Sequence, residues 1–248
     1  MGLLAKKISR ALKPVERPLL AAFPGYSFRG GYFLEKTAGD ILNGFCFSTR
    51  PGNQGSYWLY AFSSPLCLET GSIGLSFGKR IPPSDNPSIY SRTVSILTPE
   101  GIQDVIDSMK SYGLPVIARH STPERLLAYL ETENVPGKFY SVGTPYTEAY
   151  QVYFLLKVSQ FEKALKLIEY LKVYEKASET GDLELLKSIK PDYECVPELQ
   201  PWAKLMISQV YAMEGFVRAA KWDELGQYLE EIRTARIDEL GAEDLILK

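Results

Sequence analysis

The chain has 248 residues, of which 45% are hydrophobic and 23% charged, and its formal net charge is −2. This composition is ordinary for a folded globular protein, and it excludes a disordered or low-complexity polymer. With a single histidine and three cysteines, a multi-histidine metal site is excluded, and Ser-His-Asp or Cys-His catalysis would have to use His120.

The first elements in chain order are a helix and a run of strands. Residues 3–20 predict an amphipathic helix, which Pro14 and Pro18 should shorten or kink. From Tyr26 to Ile96 the apolar period changes to two, with turn signals at residues 38–40 and 51–55. We therefore expect about five strands, mainly antiparallel because the turns are short, within residues 26–34, 41–49, 57–62, 73–77 and 90–96.

Helices follow from residue 98 onward. Thr98-Pro99-Glu100 places a capping Thr before a Pro and an acid, and Gly113 with Pro115 beyond it predicts the helix end. Similar starts occur at Thr122 and Thr144, and Ser159 with Glu162 predicts a capping box. The expected helices after the first are residues 125–133, two antiparallel helices within 146–174, and 182–189, 199–219 and 222–236.

These elements predict an α+β fold. An N-terminal helix and an antiparallel sheet packed by helices should occupy residues 1–140, and an all-α region of helical hairpins should occupy residues 141–248. Residues 220–224 resemble the turn of a tetratricopeptide-like hairpin. No period of 34 residues is sustained over three units, so a solenoid is not expected.

Sequence motifs for catalysis and cofactor binding are weak. His120 has only Ser121 and Glu124 as local partners, and the closest pairs of acids lie on predicted polar helix faces. The glycines do not form a phosphate-binding loop, and no metal-ligand spacing occurs. Aromatic residues 57–62 could stack single-stranded nucleic acid, but the RNP pattern is absent and a protein-facing sheet is favoured. We expect a protein that is not an enzyme, without cofactor, metal or nucleic acid.

Charge is distributed unevenly along the chain. Residues 1–20 carry a local +4, whereas residues 175–248 carry nine basic and sixteen acidic residues. An acidic helical surface favours a basic partner. No secretory signal pattern and no run of 18 apolar residues is present, so we expect a cytoplasmic protein with reduced thiols and no membrane segment.

The order of several segments resembles a family of bacterial domains of unknown function. The resemblance is carried by Leu4–Pro14, Gly25–Phe33, Ile41–Phe47 and Gly113–Leu130, followed by the helical hairpin that contains Phe161–Ile168. Such families resemble immunity proteins of polymorphic or contact-delivered toxins. The resemblance implies a binding protein that neutralises a cognate toxin by occlusion. As complement to a basic toxin face we expect six acids: Glu194, Glu198, Glu230, Glu231, Asp238 and Glu239.

Two alternatives stay open. The helical hairpins at 146–236 could serve an adaptor or scaffold that holds a peptide or protein in a groove, lined by exposed Tyr150, Tyr153 and Tyr170. The other alternative is an unrecognised enzyme acting around His120 and Arg119.

Overall fold

A computed structural model describes residues 3–49, 57–68, 77–85, 88, 98–132, 146–189, 191, 193–196 and 198–247. Close contacts divide the chain into two compact units. The first unit comprises residues 1–64, 74–122 and 242–248, and the second comprises 65–73 and 123–241. The predicted boundary between residues 140 and 141 lies outside the described residues.

The first unit contains a helix, a sheet and a helical layer. Its elements are α1 (Leu3–Ala22), β1 (Tyr26–Arg29), β2 (Tyr32–Glu35), β3 (Ile41–Thr49), β4 (Tyr57–Pro65), β5 (Lys79–Ile81), α2 (Pro99–Ser108), a π-helical turn (Met109–Gly113), α3 (Leu114–Ala118) and a 3₁₀ turn (Glu243–Leu245). The five described strands form one sheet in chain order. The described part of the second unit is helical, so the predicted α+β class with a helical C-terminal region is confirmed.

The sheet departs from the predicted strands in two places. Residues 26–34 form two strands, because Gly30 and Gly31 both have positive φ, at 57° and 98°, and so make a two-residue hairpin turn that pairs Arg29 with Tyr32. The short strand β5 was not predicted. Most of the predicted run 73–77 and all of 90–96 lie outside the described residues.

Helix α1 is not shortened by Pro14 and Pro18, contrary to one form of the prediction, and continues to Ala22. Its apolar stripe, which includes Val15 and Leu19, is buried against the sheet and against α2. This packing outweighs the hydrogen bonds that the two prolines remove. The shared core comprises Leu12, Val15, Leu19, Phe23, Phe33, Phe45, Phe47, Leu59, Ala61, Ile81, Val105, Ile106, Met109 and Ile117.

Gly113 does not end its helix, contrary to the prediction. Its φ and ψ of −79° and −51° are right-handed helical values, and the chain continues into α3. The π-helical turn allows this, because the Leu114 N–H bonds to the Met109 carbonyl while Pro115 has no N–H to offer. A Cβ at Gly113 would meet the Phe45 ring and the Ile81 Cδ1 atom, so the glycine is required by packing on the sheet.

The second unit is helical around one buried helix. Its elements are α4 (Pro123–Thr132), α5 (Tyr146–Lys157), α6 (Phe161–Thr180), α7 (Leu183–Ile189), α8 (Pro201–Arg218) and α9 (Trp222–Leu240). Helix α5 contacts α4, α6, α8 and α9. Its side chains from Val152 to Leu156 are all buried, as expected for a helix that is covered on every side.

Residues 242–247 return to the sheet of the first unit. Ile246 bridges Thr37 in parallel, and the Thr37 N–H donates to the Leu245 carbonyl at 2.9 Å. Leu245 is fully buried, and Asp244 forms an ion pair with Arg29 on β1. The segment therefore extends the sheet beside the end of β2.

Candidate protein-binding surface

Three tight turns in the second unit share one backbone conformation. Ser159, Gly181 and Ala220 have φ of 59°, 70° and 53°. In each turn the next residue donates its N–H to a carbonyl five positions earlier, over 2.8 to 3.1 Å. These turns join α5 to α6, α6 to α7 and α8 to α9 as helical hairpins. Ser159 is therefore not the N-cap of α6, and the predicted capping box is wrong: Gln160 holds the cap position.

The open end of the α8/α9 hairpin exposes two large apolar side chains. Trp202 is 37% exposed and Leu205 is 42% exposed. They lie three positions apart in the first turns of α8 and therefore share one face. The intervening Ala203 is buried in the core of the unit, so α8 presents apolar groups on its outer side as well as its inner side.

Sequence reasoning did not select Trp202 and Leu205. A signal was present, because the buried stripe of α8 is already complete in Ala203, Met206, Ile207 and Val210. Trp202 and Leu205 fall outside that stripe, where a helix of period 3.6 would ordinarily carry polar residues.

Three of the six predicted acids already have partners in the second unit. Glu230 accepts from Arg233 at 2.8 Å and lies 3.9 Å from the Lys157 ammonium. Glu231 accepts from the Gln227 amide at 3.0 Å. Glu239 pairs with the buried Arg236. These carboxylates offer less charge to a partner than the sequence suggested.

The other three predicted acids, Glu194, Glu198 and Asp238, are exposed and form no ion pair within the described part of the chain. Glu194 and Glu198 lie in the segment that leads into α8. Asp238 lies in the last turn of α9. At a rise of roughly 1.5 Å per residue, the start of α8 and the end of α9 are both about 25 Å from their shared turn. They therefore lie at the same, open end of the hairpin. We call Trp202 and Leu205 with Glu194, Glu198 and Asp238 the acid-rimmed patch.

Glu214, an acid of the C-terminal third that was not predicted, is used inside the unit. Its carboxylate accepts from the Lys172 ammonium at 2.7 Å and from Arg218 Nε at 2.6 Å. Burial favours a raised pKa for Glu214, but the hydrogen bonds and charges of Lys172 and Arg218 outweigh it and hold the pKa below its ordinary value. This carboxylate joins α6 to α8 and is not available to a partner.

His120 is only 4% exposed and packs near the Phe77 ring, with the ring centroids 6.1 Å apart. Burial, and then the charge of Arg119, lower the pKa of His120 to about 4. The imidazole is therefore neutral at physiological pH. A side chain this buried has no direct access to a substrate, so the geometry gives the proposed catalysis at His120 no support.

The groove predicted for the adaptor alternative does not have its expected lining. Tyr150 and Tyr153 are buried side chains of α5, 2% and 0% exposed, and the Tyr153 hydroxyl donates to the Leu229 carbonyl. Tyr170 on α6 is half-buried. Two of the three tyrosines therefore belong to the core rather than to a surface.

The aromatic strand β4 carries a cation from the neighbouring strand. The Arg80 guanidinium of β5 lies 4.0 Å from the centroid of the Trp58 ring, and its Nε donates to the Tyr60 hydroxyl at 2.8 Å. The nearby Phe62 is fully buried. The pair Arg80–Trp58 thus forms an internal cation–π contact on the sheet.

Metal-binding and membrane-spanning features find no support within the described ranges. No helix there is long and apolar enough to cross a membrane. No group of three or more His, Cys, Asp or Glu side chains there is placed to hold a metal ion. Cys46 and Cys67 are buried and Cys195 is exposed, and none of the three forms a disulfide within the described residues.

Comparison of the chain with protein families, with curated proteins and with solved structures found no match. The resemblance to immunity proteins of bacterial toxins therefore stays a prediction.

Proposed function

We propose that this protein binds a basic partner protein through the acid-rimmed patch and acts by covering the partner's surface. The observation that carries the proposal is the exposure of Trp202 and Leu205, at 37% and 42%, on one face of α8. Tryptophan is enriched among the residues that dominate binding energy at protein interfaces, where a buried apolar centre is surrounded by a polar rim.

Charge supports a basic rather than an acidic partner. Glu194 and Glu198 precede α8 and Asp238 lies in the last turn of α9, and all three are exposed without an ion pair in the described residues. On the first turns of α8, Lys204 adds one exposed positive charge. Opposite charges at a rim raise association rates and exclude partners of like charge. Glu230, Glu231 and Glu239 contribute less, because each already has a partner in the chain.

Within this proposal the partner is a cognate toxin, and the protein is its immunity protein. Support comes from the family resemblance and from the acidic surface. Occlusion needs no catalytic group in this chain, and the partner loses activity because its basic face is covered.

The test is a capture experiment with the purified chain and extract of its native host. Captured proteins are identified by mass spectrometry, and the principal one is purified for binding measurements against W202A/L205A. We expect a basic protein whose affinity falls at least 100-fold in the double variant, since hot-spot residues typically contribute about 2 kcal/mol or more each. An unchanged affinity would place the contact elsewhere on the chain.

Three further variants test whether the loss of binding is specific to the patch. W222A removes a tryptophan that is 47% exposed at the opposite end of the same hairpin, and it should leave binding unchanged. E198K should slow association, with a dependence on salt, whereas K204E should not slow it. If E198K and K204E slow association equally, charge complementarity at this patch is the wrong explanation.

A second function, a helical-repeat adaptor, is favoured by the turn conformation shared by Ser159, Gly181 and Ala220. Such an adaptor would bind an extended or helical peptide rather than a folded basic protein. This second function would be supported if the chain captured a short linear peptide that competes with the basic protein for binding.

A further inference from the structure

One face of the sheet in the first unit carries an arginine that is held in place and yet exposed. The Arg80 guanidinium of β5 lies 4.0 Å from the centroid of the Trp58 ring and 5.5 Å from the centroid of the Tyr60 ring. Its Nε–H donates to the Tyr60 hydroxyl at 2.8 Å. Arg80 is exposed, and both aromatic residues are half-buried. We call these three residues the arginine site.

The arginine site lies on the face of the sheet opposite to the one that packs on α1. Arg80 is paired with Tyr60 across the two strands, and the next residue, Ile81, is paired with Leu59. Ile81 and Leu59 are buried in the core that includes α1. Because side chains alternate between the two faces of a strand, Lys79 lies on the side of Ile81. Arg80 is therefore the one cation that β4 and β5 place on the face of the arginine site.

Most of the hydrogen-bonding capacity of Arg80 is unused within the described part of the chain. A guanidinium has five N–H donors in a planar fork, and among the described residues Arg80 bonds only through Nε, to Tyr60. No carboxylate of the described residues forms an ion pair with it. The bond at Nε and the contact with Trp58 fix the side chain before any ligand arrives, so binding costs less rotamer freedom than at a mobile surface arginine. Because Arg80 is exposed, a ligand has access to it from solvent.

We infer that the arginine site binds a carboxylate of an acidic segment in a second protein. The two Nη groups of an arginine can donate parallel hydrogen bonds to the two oxygens of one carboxylate, which is the geometry that the guanidinium fork matches. A carboxylate carries a single negative charge, and one guanidinium balances it. A nucleic-acid strand is held instead by several cations spaced along its phosphates, and this face of β4 and β5 supplies only Arg80.

This inference goes beyond the proposed function and does not depend on it. The arginine site belongs to the first unit and takes an acidic ligand, whereas the acid-rimmed patch belongs to the second unit and takes a basic one. One chain could therefore bind two partners of opposite charge through separate surfaces.

The test is an NMR titration of the full chain with hexaglutamate peptide at physiological salt. The chain has three tryptophans, so the indole N–H signal of Trp58 can be followed beside those of Trp202 and Trp222. We expect the Trp58 indole signal and the Arg80 Nε–H signal to shift as hexaglutamate is added. The signals of Trp202 and Trp222 should stay in place, because both lie in the second unit, away from the arginine site.

Three variants test the geometry of the site. R80K keeps the positive charge but loses the planar fork, so hexaglutamate affinity should fall about 5-fold or more. Y60F removes the acceptor that orients Nε and should lower the affinity about 2-fold or more. K79A is the matched control, since it removes an exposed cation one position away on the other face. It should change the affinity by less than about 2-fold.

Each contrary result has a definite meaning. The site is overturned if hexaglutamate leaves the Trp58 indole signal unmoved, or if K79A weakens binding more than R80K does, because general charge attraction would then explain the binding. A larger shift of the Trp58 signal with hexathymidylate than with hexaglutamate would overturn the carboxylate in favour of nucleic acid. W202A/L205A should bind hexaglutamate as wild type does, so failure of the acid-rimmed patch and failure of the arginine site are observed separately.

Discussion

The ring of Trp222 stacks on the ring of Phe161, with centroids 4.5 Å apart and planes inclined by 30°. Each is the first residue of its helix, α9 and α6, and each follows a turn of the same backbone conformation. The stacking joins the two hairpins of the second unit at equivalent positions. It also places the turns containing Ser159 and Ala220 side by side. Both residues have a positive φ, so substitutions in these turns can measure the cost of that backbone conformation.

The repeated turn predicts opposite effects of glycine at two positions. Ala220 has φ of 53°, so Ala220→Gly should stabilise the protein by roughly 0.5–1 kcal/mol, because an L-residue is strained there. Gly181→Ala should destabilise it by roughly 1 kcal/mol, because an L-residue is strained at a φ of 70°. An added Cβ would have no atom within 4 Å, so backbone strain alone would cause this loss. Denaturant unfolding measures both, and changes of the same sign would contradict the assignment.

Gly113 and Gly226 predict opposite responses to alanine within helical segments. Gly113→Ala should destabilise the protein by about 1–3 kcal/mol, because the added Cβ would meet the Phe45 ring and approach the Ile81 Cδ1 to 2.8 Å. At Gly226 in α9 an added Cβ would have no atom within 4 Å, so Gly226→Ala should stabilise by roughly 0.5–1 kcal/mol. Chemical denaturation of both variants checks the pair, and a stabilising Gly113→Ala would refute close packing at the π-helical turn.

The lowered pKa of His120 leads us to expect that the folded protein loses stability in mild acid. Its pKa is about 4 in the folded protein, against an ordinary value of 6.5, so the unfolded chain binds the proton more tightly. The stability is fully present above pH 6.5 and is lost as the pH falls towards 4, by about 2 kcal/mol between pH 7 and pH 5. Denaturation at both pH values measures this loss. His120→Gln should remove most of the slope, and an equal slope in that variant would assign the acid sensitivity to other groups.

In the segment of residues 242–247, we expect one of two nearby leucines to be required for stability and the other not. Leu245 is 0% exposed, so Leu245→Ala should destabilise the first unit by about 2–4 kcal/mol. Leu247 is 52% exposed, and Leu247→Ala should change stability by less than about 0.5 kcal/mol. Two measurements check this prediction: the free energy of unfolding of each variant, and the rate of hydrogen exchange at the Thr37 N–H, which is bonded to the Leu245 carbonyl. Equal effects of the two variants would show that residues 242–247 do not support the sheet.

One of the predicted helix caps is confirmed. Thr98 caps α2 as expected, with its hydroxyl accepting the Gly101 N–H at 3.1 Å. The hairpins of the second unit and the antiparallel sheet also follow from periodicity. The prediction at Gly113 is wrong because a helix-ending glycine and a glycine required by close packing look alike in sequence, and only the position of Phe45 distinguishes them.

The candidate site was less accessible to sequence reasoning than the fold. The distribution of acidic residues along the chain pointed to Glu230 and Glu239. It could not show that these carboxylates form ion pairs with Arg233 and Arg236. The contact between the Tyr170 and Tyr193 hydroxyls joins residues 23 positions apart and forms only after α7 is placed. Contacts of this kind are set by tertiary packing rather than by any local pattern.

The pairing of Arg29 with Asp244, 215 positions apart in the chain, has a consequence for synthesis. At typical rates of translation, roughly 10 to 40 s separate the emergence of β1 from that of its ion-pair partner. During that interval the edge of the sheet at Thr37 keeps its hydrogen-bonding groups open, while the helices of the second unit are already able to fold. A fragment that stops at residue 122 would keep this edge open permanently, and it should be prone to pairing with other copies of itself.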